Sequence, residues 1–292
     1  MLESIVIESV YGSVNRHVIH NGRNVWRNIR KRGDEIRGFN QPSALGLGNF
    51  VMITPALQLI SRQINNKVKI VFGTKALQEL YKHCKFIKII NAQRSFRKII
   101  MPKRRPGESD IEAYCRIFAG TRKPIQKLPH TYVDGNITKT LKDKKQCVAV
   151  FHGCLGRKYV NGKDIGIKVR QHIIDCLCAR NMIPVLLGTK KDYINYWKYN
   201  NIDKCKNYID KLSLKDSVSI LAQCQYFISN DTGLYHVAGA LKKPGLVIWR
   251  RTDPIKNKTP FNEIIHVVNR EGDIKISKRK IENYINHANS SN

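Results

Sequence analysis

Apolar and polar positions change period repeatedly along this chain. After a Gly-rich turn, "GLGNFVMITPALQLISRQINN" spaces its apolar residues as an amphipathic helix does. "VKIVFG" is a short continuous apolar run and reads as a buried strand, "TKALQELYKHC" as a helix and "FIKIIN" as another strand. "MPKRRPGESDIEAYCRIFAG" predicts a Pro/Gly-rich loop and a helix capped near Ser109, with acidic residues in its first turn. A polar, Pro-interrupted stretch, "TRKPIQKLPHTYVDGNITKTLKDKKQ", reads as a last short strand followed by a linker.

A second series then begins with strand "CVAVFHG", helix "IGIKVRQHIIDCLCARN", strand "IPVLLG", helix "KKDYINYWKYNN" and short strand "KNYID". Helix "SLKDSVSILAQC", strand "QYFISN", helix "GLYHVAGALKK" and the closing strand "GLVIW" complete it, and "SKRKIENYINHANSSN" is a fraying terminal helix. Strands alternating with helices at this spacing imply parallel sheets. The expected class is α/β: two Rossmann-like domains with parallel sheets facing a central cleft. The first spans 1–140, with residues 1–44 an extra segment holding a β-hairpin and a short basic helix. The second spans 146–275, and 276–292 is a C-terminal helix and tail. No internal repeat of 20–50 residues is present. Ligands of such sheets bind beyond the carboxyl ends of the strands.

One stretch concentrates the chemistry: "FISNDTGLYHVAGALKKPGLVIW", Phe227 to Trp249. A strand breaks at Asn230-Asp231-Thr232-Gly233 and a helix starts near Thr232. The unpaired N–H groups of a helix's first turn, with their partial positive charge, receive phosphate well. Gly233 permits close backbone approach and the Thr232 hydroxyl adds a donor. Asp231 suits sugar hydroxyls, and His236 lies one turn away on the same face. Asp-Thr-Gly fits a plain helix cap equally well, and the local pattern does not choose.

Composition adds a partner. Lys and Arg number 52 against 22 Asp and Glu, a formal charge of +30. The excess is spread through both halves, with roughly 28 basic and 10 acidic side chains before residue 146, so it coats folded surface. Such a surface attracts polyanions: nucleic acid first, an anionic membrane or phosphorylated glycolipid second. The eight cysteines form no CxxC and no spaced Cys/His pair of the zinc type, which predicts buried thiols, no structural disulfides and a reducing cytoplasmic setting. No signal peptide and no apolar run near 18 residues is evident.

Ser229 to Pro244, with the apolar strand and Arg250-Arg251-Thr252-Asp253-Pro254 after it, resembles the donor-site signature of the ADP-heptose:lipopolysaccharide heptosyltransferases, glycosyltransferase family nine. Leu45-Gly46-Leu47-Gly48-Asn49 with Thr54-Pro55-Ala56-Leu57 is similar to that family's N-terminal motif. Val148–Cys154 and "IPVLLGTKKD" are similar to its nucleotide-binding strands. The resemblance spans about residues 45–260, specific in the second domain and thin in the first. It implies the GT-B fold and an inverting transferase that needs no metal and no cofactor, with a nucleotide-diphosphate sugar as co-substrate. It implies that Asp231 contacts the donor sugar, that Thr232, Gly233 and His236 hold the diphosphate, and that Gly48 and Gly153 line the donor. A lysine after the first strand of the donor domain neutralises the leaving diphosphate; Lys158 and Lys163 both fall there, and Lys163 is preferred. Gly188, Thr189 and Lys190 lie along the nucleoside.

The sequence departs from the family where the catalytic base belongs. Asn49 stands in place of an Asp, and an amide takes no proton at neutral pH. Glu108, Asp110 and Glu112 are substitute candidates that also fit helix capping, with His152 a more remote one. Arg94, Arg97, Lys103, Arg104 and Arg105 are candidates for gripping an anionic acceptor. A Lys/Asn/Ile-rich chain suits an AT-rich genome, such as that of a phage that decorates hydroxymethylated DNA bases in its host's cytoplasm; this step is analogy. Phe39, Phe50 and Phe96 are candidate wedges for an extruded base, and equally candidate core residues. Three functions follow: sugar transfer to a hydroxymethylated base of double-stranded DNA, which is the favoured one, and as alternatives sugar transfer to the lipopolysaccharide core and an inactive nucleic-acid-binding module on the same scaffold.

Overall fold

The computed structural model describes residues 46–70, 72, 74–90, 104–121, 131–153, 163–192, 199–250, 253–259, 264–268 and 274–290. The hairpin and basic helix expected before Leu45 lie outside these residues. So does the middle half of the helix expected over 190–201, residues 193–198, while residues 190–192 form one 3-10 turn. The chain divides into two units, residues 1–134 and 135–292.

In the first unit, helix α1 (Leu47–Ile64), strand β1 (Val68–Ile70), helix α2 (Lys75–Tyr81), strand β2 (Ile87–Ile89) and helix α3 (Asp110–Phe118) follow one another. β1 and β2 pair in parallel, Val68 opposite Ile87. Pro55 lies inside α1 and offers no N–H to the Val51 carbonyl one turn earlier. Thr54 closes that gap. Its Oγ1 donates to Val51 O at 2.7 Å and accepts the Tyr132 N–H at 2.8 Å. The Asp134 N–H likewise donates to Leu80 O. Residues 131–134 therefore dock through isolated bonds, and no strand forms there, although the pattern predicts one. Phe50 packs with its ring centroid 4.8 Å from those of Phe72 and Tyr81 and is core, which removes it as a wedge. Phe39 and Phe96 lie outside the described residues.

The second unit is built on six parallel strands. They are β3 (Cys147–Phe151), β4 (Ile183–Leu187), β5 (Lys206–Asn207), β6 (Tyr226–Asn230), β7 (Gly245–Trp249) and β8 (Ile264–Val268), in the spatial order β5-β4-β3-β6-β7-β8. Among the described residues its helices are α4 (Ile167–Cys178), α5 (Leu214–Gln223), α6 (Gly233–Ala240), α7 (Pro254–Asn257) and α8 (Ile274–Ser290). Counted from β3, this is the 3-2-1-4-5-6 order of a doubly wound sheet, whose winding reverses between β3 and β6. Every residue of β3, β6 and β7 is buried, as helices covering both faces require.

Two sequence expectations change here. "GLVIW" does not close the sheet, because β8 pairs in parallel beyond it, Gly245 opposite Ile264. The terminal helix is no fraying tail: Ile281 and Ile285, one turn apart, are buried in the same core as Ile173, Ile174 and Leu246. Residues 135–146 also belong to this unit. The Thr138 and Lys139 N–H groups donate to Ser219 Oγ, and Gln223 Nε2 donates to Lys139 O.

Candidate functional site

At the reversal point, the carboxyl ends of β3 and β6 lie side by side, Phe151 opposite Ser229. Ligands of doubly wound sheets bind in the crevice such an arrangement opens. Asn230, the last residue of β6, stitches the neighbouring segments together. Its Oδ1 accepts the Gly153 N–H at 3.1 Å, while its Nδ2 donates to Gly153 O at 3.2 Å and to Lys163 O at 2.8 Å. Gly153 allows the approach: a Cβ there would lie 3.0 Å from both Cβ and Cγ2 of Thr232.

The next residue carries the charge. The Asp231 carboxylate pairs through Oδ2 with the Lys163 ammonium and accepts from Asn257 Nδ2 at 3.4 Å. Asp231 is 2% exposed, whereas the Lys163 side chain keeps 19%. His236 Nε2 lies 3.9 Å from Asp231 Oδ1, too far for a hydrogen bond. Burial lowers the His236 pKa to about 4, the Asp231 charge opposing the shift and Lys163 adding to it, so the ring is neutral at pH 7.

Thr232 caps α6 in an extended conformation and makes no side-chain bond to the helix backbone, so its hydroxyl is not spent on the cap. Asp231 and Thr232 are covered by these neighbours, while Gly233 and Leu234 at the helix start stay partly exposed. Gly188, at the end of β4, turns the chain with a φ of 135°, a region glycine favours. Thr189 then donates from Oγ1 to Asp192 at 2.7 Å. Since β4 neighbours β3 in a parallel sheet, this loop emerges at the same end as Gly153.

Residues 168–285 match the family model described as glycosyltransferase family 9 (heptosyltransferase). The chain resembles glycosyltransferase family 9. A 50-residue segment is 34% identical to lipooligosaccharide heptosyltransferase 2 of Haemophilus influenzae, covering 17% of this chain and 14% of that protein. The curated relatives are thus matched over a small part of their length. Among solved structures, E. coli ADP-heptose lps heptosyltransferase II is similar over 86% of this chain and 98% of its own, with a TM-score of 0.68 at 12% identity. The iron-containing dodecameric glycosyltransferase TibC of E. coli H10407 is similar over 82% of this chain and 66% of its own, with a TM-score of 0.58 at 15% identity. Likeness at these identities speaks for the fold, and the fold is the GT-B class that the family 9 resemblance implies.

The family 9 residues of the second unit converge. Gly153, Lys163, Asp231, Thr232 and His236 share one cluster, and Gly188 and Thr189 share its sheet end. Lys158 lies outside the described residues, as do Arg94, Arg97 and Lys103. In the first unit, Gly48 is buried and Asn49 half-buried in the first turn of α1. Glu108 and Asp110 are already engaged. Burial alone would raise the Glu108 carboxyl, but Arg116, bonded at 2.6 Å, and the Arg105 N–H hold it below its usual range. Arg104 pairs with Asp110 at 3.2 Å, and Glu112 completes a capping box with Ser109. These arrangements make poor bases. His152 is buried, and burial and then Arg170 push its pKa well down.

Sequence reasoning passed over Asn257 and named Asn230 and Arg250 only as parts of motifs, without a role; Arg250 Nη1 donates to Asp164 O at 2.8 Å beside the Lys163 loop. Asn230 carried a signal: a fully buried strand ending in a polar amide needs partners for that amide.

Proposed function

We propose that the protein is a glycosyltransferase that moves a sugar from a nucleotide-diphosphate donor to a hydroxyl of an anionic acceptor. One observation carries the reading: Lys163, Asp231 and the start of α6 meet at the reversal point of a doubly wound sheet. In this reading the partly exposed Lys163 ammonium leaves its carboxylate partner for the diphosphate. With the N–H groups from Gly233 onward it takes up the negative charge that grows on the leaving group. Asp231 then turns to the hydroxyls of the sugar, and inversion at the sugar carbon needs no metal. Likeness to ADP-heptose lps heptosyltransferase II favours ADP-heptose as donor and a phosphorylated glycolipid core as acceptor.

A second reading rests on the charge. A balance of +30 exceeds what one glycolipid head group needs and suits duplex DNA carrying hydroxymethylated bases. The inactive-module reading rests on Asn49 and on the engaged state of Glu108 and Asp110.

A single incubation separates these. Radiolabelled nucleotide sugars are offered with either deacylated lipopolysaccharide or hydroxymethylated duplex DNA. Label on the glycolipid is the expected result, and label on DNA would move the acceptor to the second reading. Salt-sensitive DNA binding with no transfer to either would leave a binding module.

A further inference from the structure

A second cluster lies away from the strand ends, where α4 meets α8. His172 and Cys176 are four residues apart on α4 and share one face. Glu282 comes from α8, in the turn that also plants Ile281 and Ile285 in the core. His172 Nε2 lies 3.3 Å from Cys176 Sγ and 3.0 Å from Glu282 Oε1, and one ligand atom from each lies within 4.8 Å of the others.

We propose that His172, Cys176 and Glu282 bind a divalent transition-metal cation, Zn2+ by their chemistry, which ties the C-terminal helix to α4. Thiolate, imidazole and carboxylate together suit Zn2+, whereas Mg2+ and Ca2+ select oxygen. In a tetrahedral zinc site, bonds of about 2.0–2.3 Å put neighbouring ligand atoms roughly 3.4–3.6 Å apart. Two of the three edges are within a few tenths of an ångström of that, and the half-exposed Glu282 side chain has room to adjust the third. Burial grades outward. Cys176 sits at the edge of the core, the His172 side chain is 15% exposed and Glu282 44%, which leaves one open side for a water ligand. A hollow of about 370 Å³ opens beside His172, its lining including Asp175 and Tyr199 as well as Lys168 and Lys278. Arg180 reinforces the same junction, donating to Cys176 O at 3.0 Å and to Asn286 Oδ1 at 2.7 Å. The site shares no residue with the Lys163–Asp231 cluster, so its role is to hold α8 in place, and its failure would leave the sugar-transfer reading intact.

The test uses the full chain after chelation. Equimolar Co2+ produces a thiolate-to-cobalt charge-transfer band in the near ultraviolet, and Cys176→Ser or His172→Gln removes it. Full intensity in both variants would place the cobalt on other cysteines and overturn the proposal. Free Zn2+ at about 100 times its Kd multiplies the folding equilibrium constant about 100-fold, read as a rise in Tm. Glu282→Gln, altered at the exposed rim, folds like the parent without zinc and loses most of that rise. Equal rises in Glu282→Gln and the parent would also overturn it. Should Cys176→Ser not fold, His172→Gln and Glu282→Gln carry both measurements.

Discussion

Lys163 closes on Asp231, joining the loop after β3 to the residue before the Thr232 cap of α6 through an ion pair with one buried and one partly exposed partner. The pair sets a competition, because Lys163 must leave the carboxylate to meet a phosphate. Asp231→Asn removes the competitor, and ADP should bind about two- to fivefold tighter, the scale of a partly exposed ion pair. Sugar transfer in the same variant should vanish. Lys163→Met should do the opposite to binding and lower kcat/KM by about 10²–10³-fold, as losing a preorganised group at a developing anion does. Titration calorimetry with ADP checks both. Weaker ADP binding in Asp231→Asn would mean that the carboxylate supports the nucleotide rather than competing with it.

His236 links this site to pH. Its folded pKa of about 4 lies below the unfolded value near 6.5, because burial disfavours the charged ring. Between those values the unfolded chain holds more protons, so stability rises with pH. The contribution, on the order of 3 kcal/mol, is complete above about pH 6.5 and is lost as pH falls toward 4. The charges bearing on the ring are Asp231, which resists the shift, and Lys163, which adds to it. Urea midpoints at pH 7 and pH 4.5 should converge more in His236→Gln than in the parent. The remaining slope includes His152, whose pKa is lowered in the same direction. An unchanged slope in His236→Gln would show that this ring does not titrate on unfolding.

Gly153 and Thr232 make a second contact that can be tested by size alone. A Cβ at residue 153 meets Thr232 at 3.0 Å, and residue 153 is held in place by the side-chain amide of Asn230. Gly153→Ala should cost about 1–3 kcal/mol of stability as an overpacked contact. Thr232→Ser, which removes the offending methyl and keeps the hydroxyl, should recover part of that loss when combined with Gly153→Ala. Guanidinium unfolding of the two single variants and the double gives the answer; strict additivity would mean the strand ends shift apart without resistance.

Much of this was legible in the residues. Alternating runs located the helices and most strands of the second unit, since buried parallel strands read as uninterrupted apolar runs. The Asn230–His236 stretch drew attention to the right sheet end. Strand β8 escaped because four apolar residues interrupted by His266 carry little signal without their partner β7. The Lys163–Asp231 pair joins residues far apart in sequence, and no periodicity reports such a pairing. For the same reason the His172–Cys176–Glu282 cluster was not recognised. His172 and Cys176 have the helical spacing, but their third partner, Glu282, arrives on a helix that reads as a tail. Glu108 and Asp110 looked available only because the sequence does not reveal that Arg116 and Arg104 hold them.

Thr54 and Pro55 offer a test of how the first unit tolerates a proline inside a helix. Both Val51 and Thr54 are fully buried, so the Val51 carbonyl and the Tyr132 N–H depend on the Thr54 hydroxyl. Thr54→Val leaves both without it and should cost about 1–4 kcal/mol, the loss at one buried carbonyl and one partly buried N–H. Pro55→Ala restores an N–H one turn beyond Val51, which then has a backbone donor of its own. The double variant should therefore lose less than the two single changes added together, by about 1 kcal/mol, with the Tyr132 N–H the group still unserved. Urea unfolding of all four proteins completes the cycle. A coupling energy of zero would show that the Thr54 hydroxyl serves Tyr132 alone and that the helix absorbs Pro55 by other means.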